Sequence, residues 1–292
     1  MKDRYLVGLI GKNIMKSLSP ALHEDAFAVA GAHGYYHLMD LGIVERSLKN
    51  VVDSLFAVGF SGVNVTFPFK EEVIRHLDEV SVQAREIGAV NTVVVGPDGR
   101  TTGYNTDRIG FRRGFEETLG VGSANGQAAL LLGGGGAGKA VAWALLDLGI
   151  SRLHIYDMDA ARAAGLAADI NRLSGTDICR AVQAPDDVAG TVAGIVNATP
   201  IGMLGYPGMA INETLIAPNH WVVDIVYTPL VTELIRTARA KGCATVTGAG
   251  MCVHQAAEAF RLFTGIVPDA ARMTRLFNDL VVKRDAKLAL TE

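Results

Sequence analysis

The stretch Ala128-Ala-Leu-Leu-Leu-Gly-Gly-Gly-Gly-Ala-Gly138 decides the fold of this chain. Its first five residues form a short apolar run, which predicts a buried parallel strand, and an alanine-rich helical pattern follows over residues 139–148. The glycines between them let the main chain approach a pyrophosphate, whose charge then meets the free N–H groups and positive dipole end of the helix. The order of strand, turn and helix therefore predicts a dinucleotide site.

Asp157 adds a second part of the same pattern, because it ends the next predicted strand, residues 152–156. An acidic side chain there accepts hydrogen bonds from the ribose hydroxyls of the adenosine half. A phosphate-binding P-loop is the alternative, since Gly133 and Gly138-Lys139 fit its spacing G-x-x-x-x-G-K. That loop needs a Ser or Thr hydroxyl after the lysine to hold magnesium, and this chain has Ala140. The pattern therefore favours a dinucleotide site over nucleotide hydrolysis.

The composition is that of an ordinary globular protein, with 49% hydrophobic and 20% charged residues among 292. A net charge of −3 without runs of like charge argues against a nucleic-acid surface. No apolar segment is long enough to span a bilayer and no signal-peptide pattern is seen, so we expect a cytoplasmic protein that binds no membrane. The three cysteines and seven histidines show no ligand spacing, so we expect no metal.

Strands alternate with helices along the chain, which predicts an α/β fold with mainly parallel sheets. At this length we expect two domains, and residues 120–126 have the clearest linker composition. The first is an N-terminal α/β substrate-binding and catalytic domain over residues 1–107, completed by C-terminal helices at about 255–292. The second is a Rossmann-type dinucleotide-binding domain over residues 108–254.

Three local features of the first domain can also be predicted. Ser19-Pro20 indicates a helix start with serine as the cap and proline at the first helical position. Pro68 indicates the start of a short helix that continues through Lys70 to Leu77. Residues 91–95 and 101–104 predict a hairpin, because the turn Gly96-Pro-Asp-Gly99 joins them.

Four loops at predicted strand ends collect polar side chains in otherwise apolar surroundings: Ser17-Leu-Ser-Pro20, Asn64-Val-Thr-Phe-Pro-Phe-Lys70, Asn91-Thr92 and Tyr104-Asn-Thr-Asp107. In open α/β sheets, ligands bind beyond the carboxyl ends of the strands. Neutral hydroxyl and amide groups suit a ligand that carries several hydroxyl groups. We therefore expect these loops to line a substrate site.

Lys70 and Asp107 are the candidates for acid–base chemistry in these loops. A lysine at a helix N-terminus has its pKa lowered by the helix dipole if it is also partly buried, which suits a base or a proton relay. The alternatives are a surface lysine at position 70 and a helix cap at Asp107, and Ser19 is open to the same cap interpretation. Position alone leaves these interpretations open.

Together these loops and four further segments resemble the shikimate dehydrogenase family, and the resemblance covers nearly the whole chain. The loops extend to Gly88-Ala-Val-Asn-Thr92 and Gly103-Tyr-Asn-Thr-Asp107, and the further segments are Gly133–Gly138, Asn197-Ala-Thr-Pro200, Asp224-Ile-Val-Tyr227 and Gly248-Ala-Gly-Met-Cys-Val-His-Gln255. The resemblance also implies that the last helices return to the first domain.

The resemblance implies roles for particular residues. It implies that Lys70 and Asp107 form the catalytic pair, and that the Ser17 and Ser19 hydroxyls hold a substrate carboxylate. The remaining substrate-binding residues that it implies are Thr66, Asn91, Gln255 and Tyr227, of which Tyr227 also lies along the nicotinamide half of the cofactor. The cofactor-binding set is Gly133, Gly135, Gly136, Ala137, Gly138, Asp157, Asn197, Thr199, Val226, Gly248 and Met251.

The chain departs from the NADP-dependent members after the second cofactor strand. Those members typically carry Asn-Arg-Thr there, and the arginine grips the 2′-phosphate, whereas this chain has Asp157-Met-Asp159. Two carboxylates facing a phosphate each cost on the order of a kcal/mol or more. The departure indicates NAD as the cofactor and the quinate/shikimate dehydrogenase branch, with Arg162 nearby as a side chain that could still reach a phosphate.

We therefore expect NAD-dependent oxidation of the ring hydroxyl of shikimate or quinate to the 3-dehydro acid, with shikimate preferred. Lys70 is the expected proton acceptor, with Asp107 on the same hydroxyl. An NADP-dependent biosynthetic shikimate dehydrogenase and a non-catalytic, ligand-sensing relative remain as alternatives. NAD suits an oxidative direction, as in quinate catabolism, more than aromatic amino acid biosynthesis. The oligomeric state is left open, a homodimer included.

Overall fold

The structure is a computed structural model that describes residues 4–43 and 46–289, with side chains as far as Arg284. Its contacts divide the chain into two compact units: Met1–Asp107 with Val253–Leu280, and Arg108–Cys252 with Val281–Glu292. The C-terminal end of the chain differs from our prediction. We assigned residues 255–292 to the first domain, whereas the segment Val281–Glu292 groups with the second unit. The roles of the two units stay predictions.

Six strands form the sheet of the first unit: β1 (Arg4–Gly11), β2 (His33–Asp40), β3 (Gly62–Val65), β4 (Glu79–Val80), β5 (Thr92–Val95) and β6 (Thr101–Tyr104). Their order is β2-β1-β3-β5-β6-β4. The neighbours of β1 are parallel to it, whereas β5 is antiparallel to both β3 and β6. The helices between these strands are α1 (Ser19–Val29), α2 (Leu48–Val58) and α3 (Val82–Ile87).

The second unit has a six-stranded parallel sheet made of β7 (Ala128–Leu132), β8 (Arg152–Tyr156), β9 (Cys179–Ala181), β10 (Gly194–Asn197), β11 (Trp221–Asp224) and β12 (Ala244–Val246). Its helices are α4 (Asp107–Leu119), α5 (Gly136–Asp147), α6 (Ala160–Ser174) and α7 (Glu233–Ala240). The strand order β12-β11-β10-β7-β8-β9 reverses direction between β7 and β10. This doubly wound arrangement confirms the predicted α/β fold with a Rossmann-type domain.

Two long C-terminal helices, α8 (Gly248–Thr264) and α9 (Ala270–Ala289), have residues in both units. Within the first unit, α8 packs Ala259, Phe260 and Phe263 against the face of the sheet that carries Val7 and Leu9 of β1. Of the helices in residues 4–43 and 46–289, none combines the length and the apolar character that a bilayer span requires.

The alternating side chains of β1 explain why helices cover both faces of the first sheet. Tyr5, Val7 and Leu9 belong to the core formed with α1 and α8. Ile10 belongs to a second core on the opposite face, where α2 contributes Leu48 and Leu55. Successive strand residues point to opposite faces, so an apolar strand of this kind needs cover on both sides. The loops at the strand ends remain free to carry polar side chains.

Two of the three local predictions were wrong in detail. Helix α1 starts at Ser19, and Leu18 occupies the cap position without a side-chain cap bond. The helix predicted from Pro68 is absent, because only a 3₁₀ helix, Glu72–His76, forms there. The hairpin is confirmed, since β5 and β6 pair antiparallel across residues 96–100.

Candidate active site

The polar loops of the first unit meet at one edge of its sheet. Strands β1 and β3 are parallel and both end there, and β5 begins there because it is antiparallel to β3, with Thr92 opposite Asn64. Strand β6 returns to the same edge, with Tyr104 opposite Thr92. The topology therefore collects the loops that carry Ser17, Lys70 and Asp107 from distant parts of the sequence.

Lys70 and Asp107 form a buried ion pair at this edge. The Lys70 Nζ lies 2.6 Å from the Asp107 Oδ2, and the two side chains are only 17% and 6% exposed. The Lys70 carbonyl accepts a bond from the Val90 N–H, and the Asp107 N–H donates to the Asn105 Oδ1, so the main chain of each partner is fixed. Lys70 is therefore not a surface lysine, and the Asp107 carboxylate is bonded to an ammonium group. A hydrogen-bonded pair of this kind can pass a proton to or from a bound hydroxyl.

The helix dipole that we expected to act on Lys70 has no counterpart in the structure. Lys70 lies in a turn, and the 3₁₀ helix that follows it has only five residues. The immediate electrostatic neighbour of the ammonium group is the Asp107 carboxylate. The environment that suits proton transfer therefore comes from the ion pair and its burial rather than from a helix terminus.

A chain of buried side chains fixes the amide of Asn91. Its Oδ1 accepts from the Thr106 main-chain N–H at 2.8 Å and from the Thr92 hydroxyl at 3.0 Å. Asn64 donates to the same Thr92 hydroxyl, and Tyr36 donates to the Asn64 Oδ1 at 2.9 Å. Each polar group is oriented by the next, which holds such a network rigid. Asn91 thus stands in one orientation, as a group that recognises a ring hydroxyl requires.

Ser17 and Ser19 bring two hydroxyl groups together at the start of α1. The Ser17 hydroxyl donates to the Ser19 Oγ at 3.1 Å and accepts from the Ser19 main-chain N–H at 3.2 Å. The Ser19 hydroxyl makes no bond to the helix main chain, and both hydroxyls lie at the helix N-terminus, where they can contact a ligand. Carboxylates are favoured at helix N-termini, so this pair can hold one.

Thr66 and Gln255 lie on separate elements of the first unit. Thr66 directly follows β3, and its main-chain N–H donates to the Ile10 carbonyl at the end of β1. Gln255 lies in α8 and is partly exposed. Side-chain hydrogen bonds link the two serines to each other and Lys70 to Asp107. The roles of Thr66 and Gln255 stay predictions.

The glycine turn of the second unit has the backbone geometry that a pyrophosphate site needs. Gly133 has a φ of +98°, a left-handed conformation that favours glycine, and a Cβ there would lie 2.9 Å from the Ala198 carbonyl oxygen. A Cβ on Gly138 would collide with the Gly133 carbonyl oxygen. Helix α5 begins at Gly136 with no side-chain cap, and Gly135 and Ala137 adjoin its first N–H groups. The turn therefore fits a dinucleotide, whose phosphates the uncapped helix end can bind.

Asp157 is held in place by main-chain bonds to both of its oxygens. Its Oδ2 accepts from the Gly134 N–H at 2.8 Å, and its Oδ1 accepts from the Asp159 N–H at 2.9 Å. Asp159 in turn caps α6 through bonds from the Ala161 and Arg162 N–H groups. The Arg162 guanidinium lies 3.6 Å from Asp157 and 3.7 Å from Asp159. Its charge is thus shared with two carboxylates of its own turn.

Asp224 was missed as a site residue by the sequence analysis, although its segment was recognised. It is fully buried at the end of β11 and accepts from Asn197 Nδ2, Thr232 Oγ1 and the Val226 N–H at 3.0, 2.6 and 3.0 Å. Burial raises the pKa of this carboxyl to about 6, against the three hydrogen bonds, which lower it. A single carboxylate at the end of the apolar run Trp221-Val-Val is the signal that could have revealed it.

Asp224 thereby orders the neighbouring strand ends. Asn197 ends β10, and its Oδ1 accepts from the Thr199 N–H and hydroxyl at 3.0 and 2.7 Å. Val226 lies in the loop after β11, and Tyr227 follows it in the second unit. Gly248 is the first residue of α8, and a Cβ at this position would collide with the Ile225 carbonyl oxygen. Met251 lies in the first turn of the same helix. Among the described residues, no group of three or more His, Cys, Asp and Glu side chains is placed to hold a metal.

Comparison with known proteins places these features in a family. A model of the shikimate dehydrogenase substrate-binding domain matches residues 9–93, and a model of the shikimate 5′-dehydrogenase C-terminal domain matches residues 248–276. The chain is 44% identical over 283 residues to the quinate/shikimate dehydrogenase (NAD(+)) of Corynebacterium efficiens, covering 95% of this chain and 99% of that protein. It is 47% identical over 278 residues to the shikimate dehydrogenase (NADP(+)) of Streptomyces avermitilis, covering 93% and 94%.

A solved structure shows the same similarity in three dimensions. The quinate dehydrogenase from Corynebacterium glutamicum in complex with NAD superimposes with a TM-score of 0.89 at 43% identity, over 95% of this chain and 100% of that one. Full-length relatives at this level of identity share their ancestry and fold. The chain therefore belongs to the shikimate dehydrogenase family.

Proposed function

We propose that this protein is an NAD-dependent quinate/shikimate dehydrogenase, which oxidises the ring hydroxyl of shikimate, quinate or both to the 3-dehydro acid. The buried Lys70–Asp107 pair carries the proposal. Alcohol oxidation requires a group that accepts the hydroxyl proton, and this pair is held at 2.6 Å with the two side chains 17% and 6% exposed. Two relatives named for this activity cover 95% and 96% of this chain at 44% identity.

The oxidation removes a hydride from the carbinol carbon and a proton from its hydroxyl group. When bound, NAD would supply the acceptor for the carbinol hydrogen and its electron pair. The hydroxyl proton leaves as the ketone forms, and the acceptor that we propose is the Lys70 Nζ as a neutral amine, with Asp107 bonded to the same hydroxyl. Because only the neutral amine of Lys70 can accept a proton, the oxidation rate should rise with pH.

The substrate is a hydroxylated ring acid on this proposal. The Ser17 and Ser19 hydroxyls at the start of α1 hold its carboxylate, which the helix dipole also favours. Asn91, Thr66 and Gln255 bind its ring hydroxyls, and the rigid amide of Asn91 supports that role because its Oδ1 is already fixed by Thr92 and Thr106.

NAD is the cofactor of this protein. Gly133 to Gly138 hold its pyrophosphate, and Asp157 accepts hydrogen bonds from its adenosine ribose on this proposal. The carboxylate of Asp157 would meet a 2′-phosphate as a like charge, and Arg162 is already paired with Asp157 and Asp159. The NADP-dependent biosynthetic enzyme is the second candidate, because the relative from Streptomyces avermitilis bears that name at 47% identity.

A non-catalytic, ligand-sensing protein is a weaker candidate, because a protein that only binds has no need of a buried lysine paired with a carboxylate. We also propose an oxidative, catabolic direction, which NAD use supports, and a cytoplasmic location. A homodimer is the assembly to test first. Turnover of shikimate and of quinate, each with NAD and with NADP, separates these candidates in one spectrophotometric assay.

Lys70→Ala tests the proposed chemistry directly. We expect kcat to fall by about 10²-fold or more, with a smaller effect on NAD binding, because the proton loses its acceptor. Asp107→Ala should act in the same direction. Lys49→Ala is the matched control, since Lys49 also forms an ion pair, with Asp53, but is 61% exposed on α2.

The pH dependence gives the test a second readout. The unmodified enzyme should gain rate with rising pH, and Lys70→Ala should flatten that rise as well as lower the rate. A Lys70→Ala enzyme with near-normal kcat and an unchanged pH profile would remove Lys70 from the mechanism.

A further inference from the structure

The loop that follows β11, residues 225–229, lies where the nicotinamide half of a dinucleotide binds in a doubly wound sheet. The strand order reverses between β7 and β10, and ligands bind at the carboxyl ends of the strands around this point. The glycine turn follows β7 and Asp157 follows β8, which places the pyrophosphate and the adenosine ribose on that side. The ends of β10 and β11 remain for the nicotinamide half.

Main-chain groups of this loop are tied down from within the second unit. The Val226 N–H donates to the Asp224 Oδ1 at 3.0 Å, and the Thr228 carbonyl accepts from the Leu204 N–H at 2.8 Å. These bonds come from segments next to the loop. They fix its beginning and its end.

Arg284 supplies a third attachment from far along the chain. Its Nη2 donates to the Tyr227 carbonyl at 2.8 Å, and its Nη1 donates to the Thr228 Oγ1 at 2.8 Å. The planar guanidinium thereby holds two successive residues at once, a geometry that a lysine ammonium cannot reproduce. Arg284 lies on α9 and outside residues 9–93 and 248–276, which the family models match.

We infer that Arg284 is a positioning residue, which holds the Tyr227–Thr228 main chain in the geometry that receives the nicotinamide half of the cofactor. The inference rests on the proposed function for its kinetic consequences. Its structural basis is independent of the substrate, because the two hydrogen bonds and the position of the loop at the end of β11 lie within the second unit. Loss of the guanidinium removes the two hydrogen bonds that it donates to the middle of the loop. The adenosine end of the site, at β7 and β8, is unaffected.

The comparison of NAD with ADP-ribose separates this role from general damage. ADP-ribose has the adenosine half, the pyrophosphate and the second ribose but lacks the nicotinamide ring. For Arg284→Ala we expect NAD to bind about 5-fold or more weakly and ADP-ribose to bind within about 2-fold of the unmodified protein, both by calorimetry. With NAD and shikimate, kcat should fall about 10-fold, because small misplacements of a reacting group are costly.

Three further variants sharpen the test. Arg284→Lys keeps the charge and one of the two bonds, so its NAD affinity should be intermediate. Thr228→Val removes only the partner of the Arg284 Nη1. In a protein that already carries Arg284→Ala, Thr228→Val should weaken NAD binding little further, because both changes break the same hydrogen bond. Lys283→Ala, an exposed neighbour on α9, is the control and should leave all values unchanged.

Two results would overturn the inference. One is an Arg284→Ala protein with NAD affinity and kcat within about 2-fold of the unmodified protein. The other is an equal loss of affinity for NAD and ADP-ribose, which would mean that the substitution damages the whole unit. If Arg284→Ala does not fold, Arg284→Lys and Thr228→Val carry the same comparison. Absence of turnover in the unmodified protein would contradict the proposed function, while the two binding affinities would still decide the role of Arg284.

Discussion

Lowering the pH should destabilise the first unit through His23, a residue of α1 whose side chain is completely buried. Its ring stacks on Tyr36 with 4.7 Å between ring centroids and packs near Phe260 and Phe263, and neither ring nitrogen has a hydrogen-bond partner among the residues that the structure describes. Burial lowers the pKa of this imidazole from 6.5 to about 3. The folded protein therefore keeps His23 neutral over a pH range in which the unfolded chain binds a proton there.

The sign and size of the effect follow from proton linkage. A depressed pKa in the folded state contributes its full stability above pH 6.5, and that stability is lost as the pH falls below 6.5 toward the folded value. Between pH 8 and pH 5, the unfolded chain takes up almost one proton at this site and the folded protein almost none. The free energy of unfolding should fall by about 2 kcal/mol over this range from His23 alone. Any folded pKa well below 5 gives nearly the same value.

His23→Phe isolates this contribution, because phenylalanine keeps an aromatic ring in the pocket and does not titrate. Urea unfolding should be followed by far-UV circular dichroism, since both tryptophans, Trp143 and Trp221, lie in the second unit. Relative to the unmodified protein, the variant should gain about 2 kcal/mol between pH 8 and pH 5. His33→Phe is the control, because His33 is exposed on β2. A difference between His23→Phe and the unmodified protein that stays constant over this range would refute the reasoning.

The cofactor and substrate preferences give two further predictions. The unmodified enzyme should use NAD at least about 10-fold better than NADP in kcat/KM, a gap of roughly 1.4 kcal/mol. Asp157→Ala should narrow this gap mainly by weakening the binding of NAD. Equal or better use of NADP by the unmodified enzyme would contradict the prediction. Both acids should be oxidised with shikimate ahead, and Ser19→Thr should move the kcat/KM ratio toward quinate, because the added methyl group restricts the hydroxyl rotamer. Such steric changes are worth about 1–3 kcal/mol, and quinate as the clearly better substrate of the unmodified enzyme would show that this view of the carboxylate pocket is wrong.

Features that depend on local sequence were the ones that could be predicted. The apolar run Ala128–Leu132 predicted a strand, the glycines after it predicted a turn before a helix, and Asp157 was predicted at the end of the next strand. The structure has β7, α5 and β8 at these positions. The hairpin of β5 and β6 is likewise encoded by its turn. The polar loops could be recognised as one group because parallel strands end at a common edge.

Features that depend on distant partners could not be predicted from local sequence. Nothing near Pro68 shows that Lys70 would pair with Asp107, 37 residues away, and only the family resemblance implied that pair. Strand β4 has two residues, too few for any periodicity to appear, and it exists because β6 lies beside it. Asp224 and Arg284 acquire their roles from bonds to other loops, which only the folded chain brings within reach.

The two main-chain bonds to Asp157 also constrain how this protein can change over evolutionary time. Loss of the carboxylate removes the acceptor of both the Gly134 and the Asp159 N–H groups. We therefore expect a substitution at Asp157 to disturb the local backbone as well as any contact with a cofactor. A cation at position 158, whose methionine is 88% exposed, should disturb little packing, so we expect a change of cofactor to begin there rather than at Asp157.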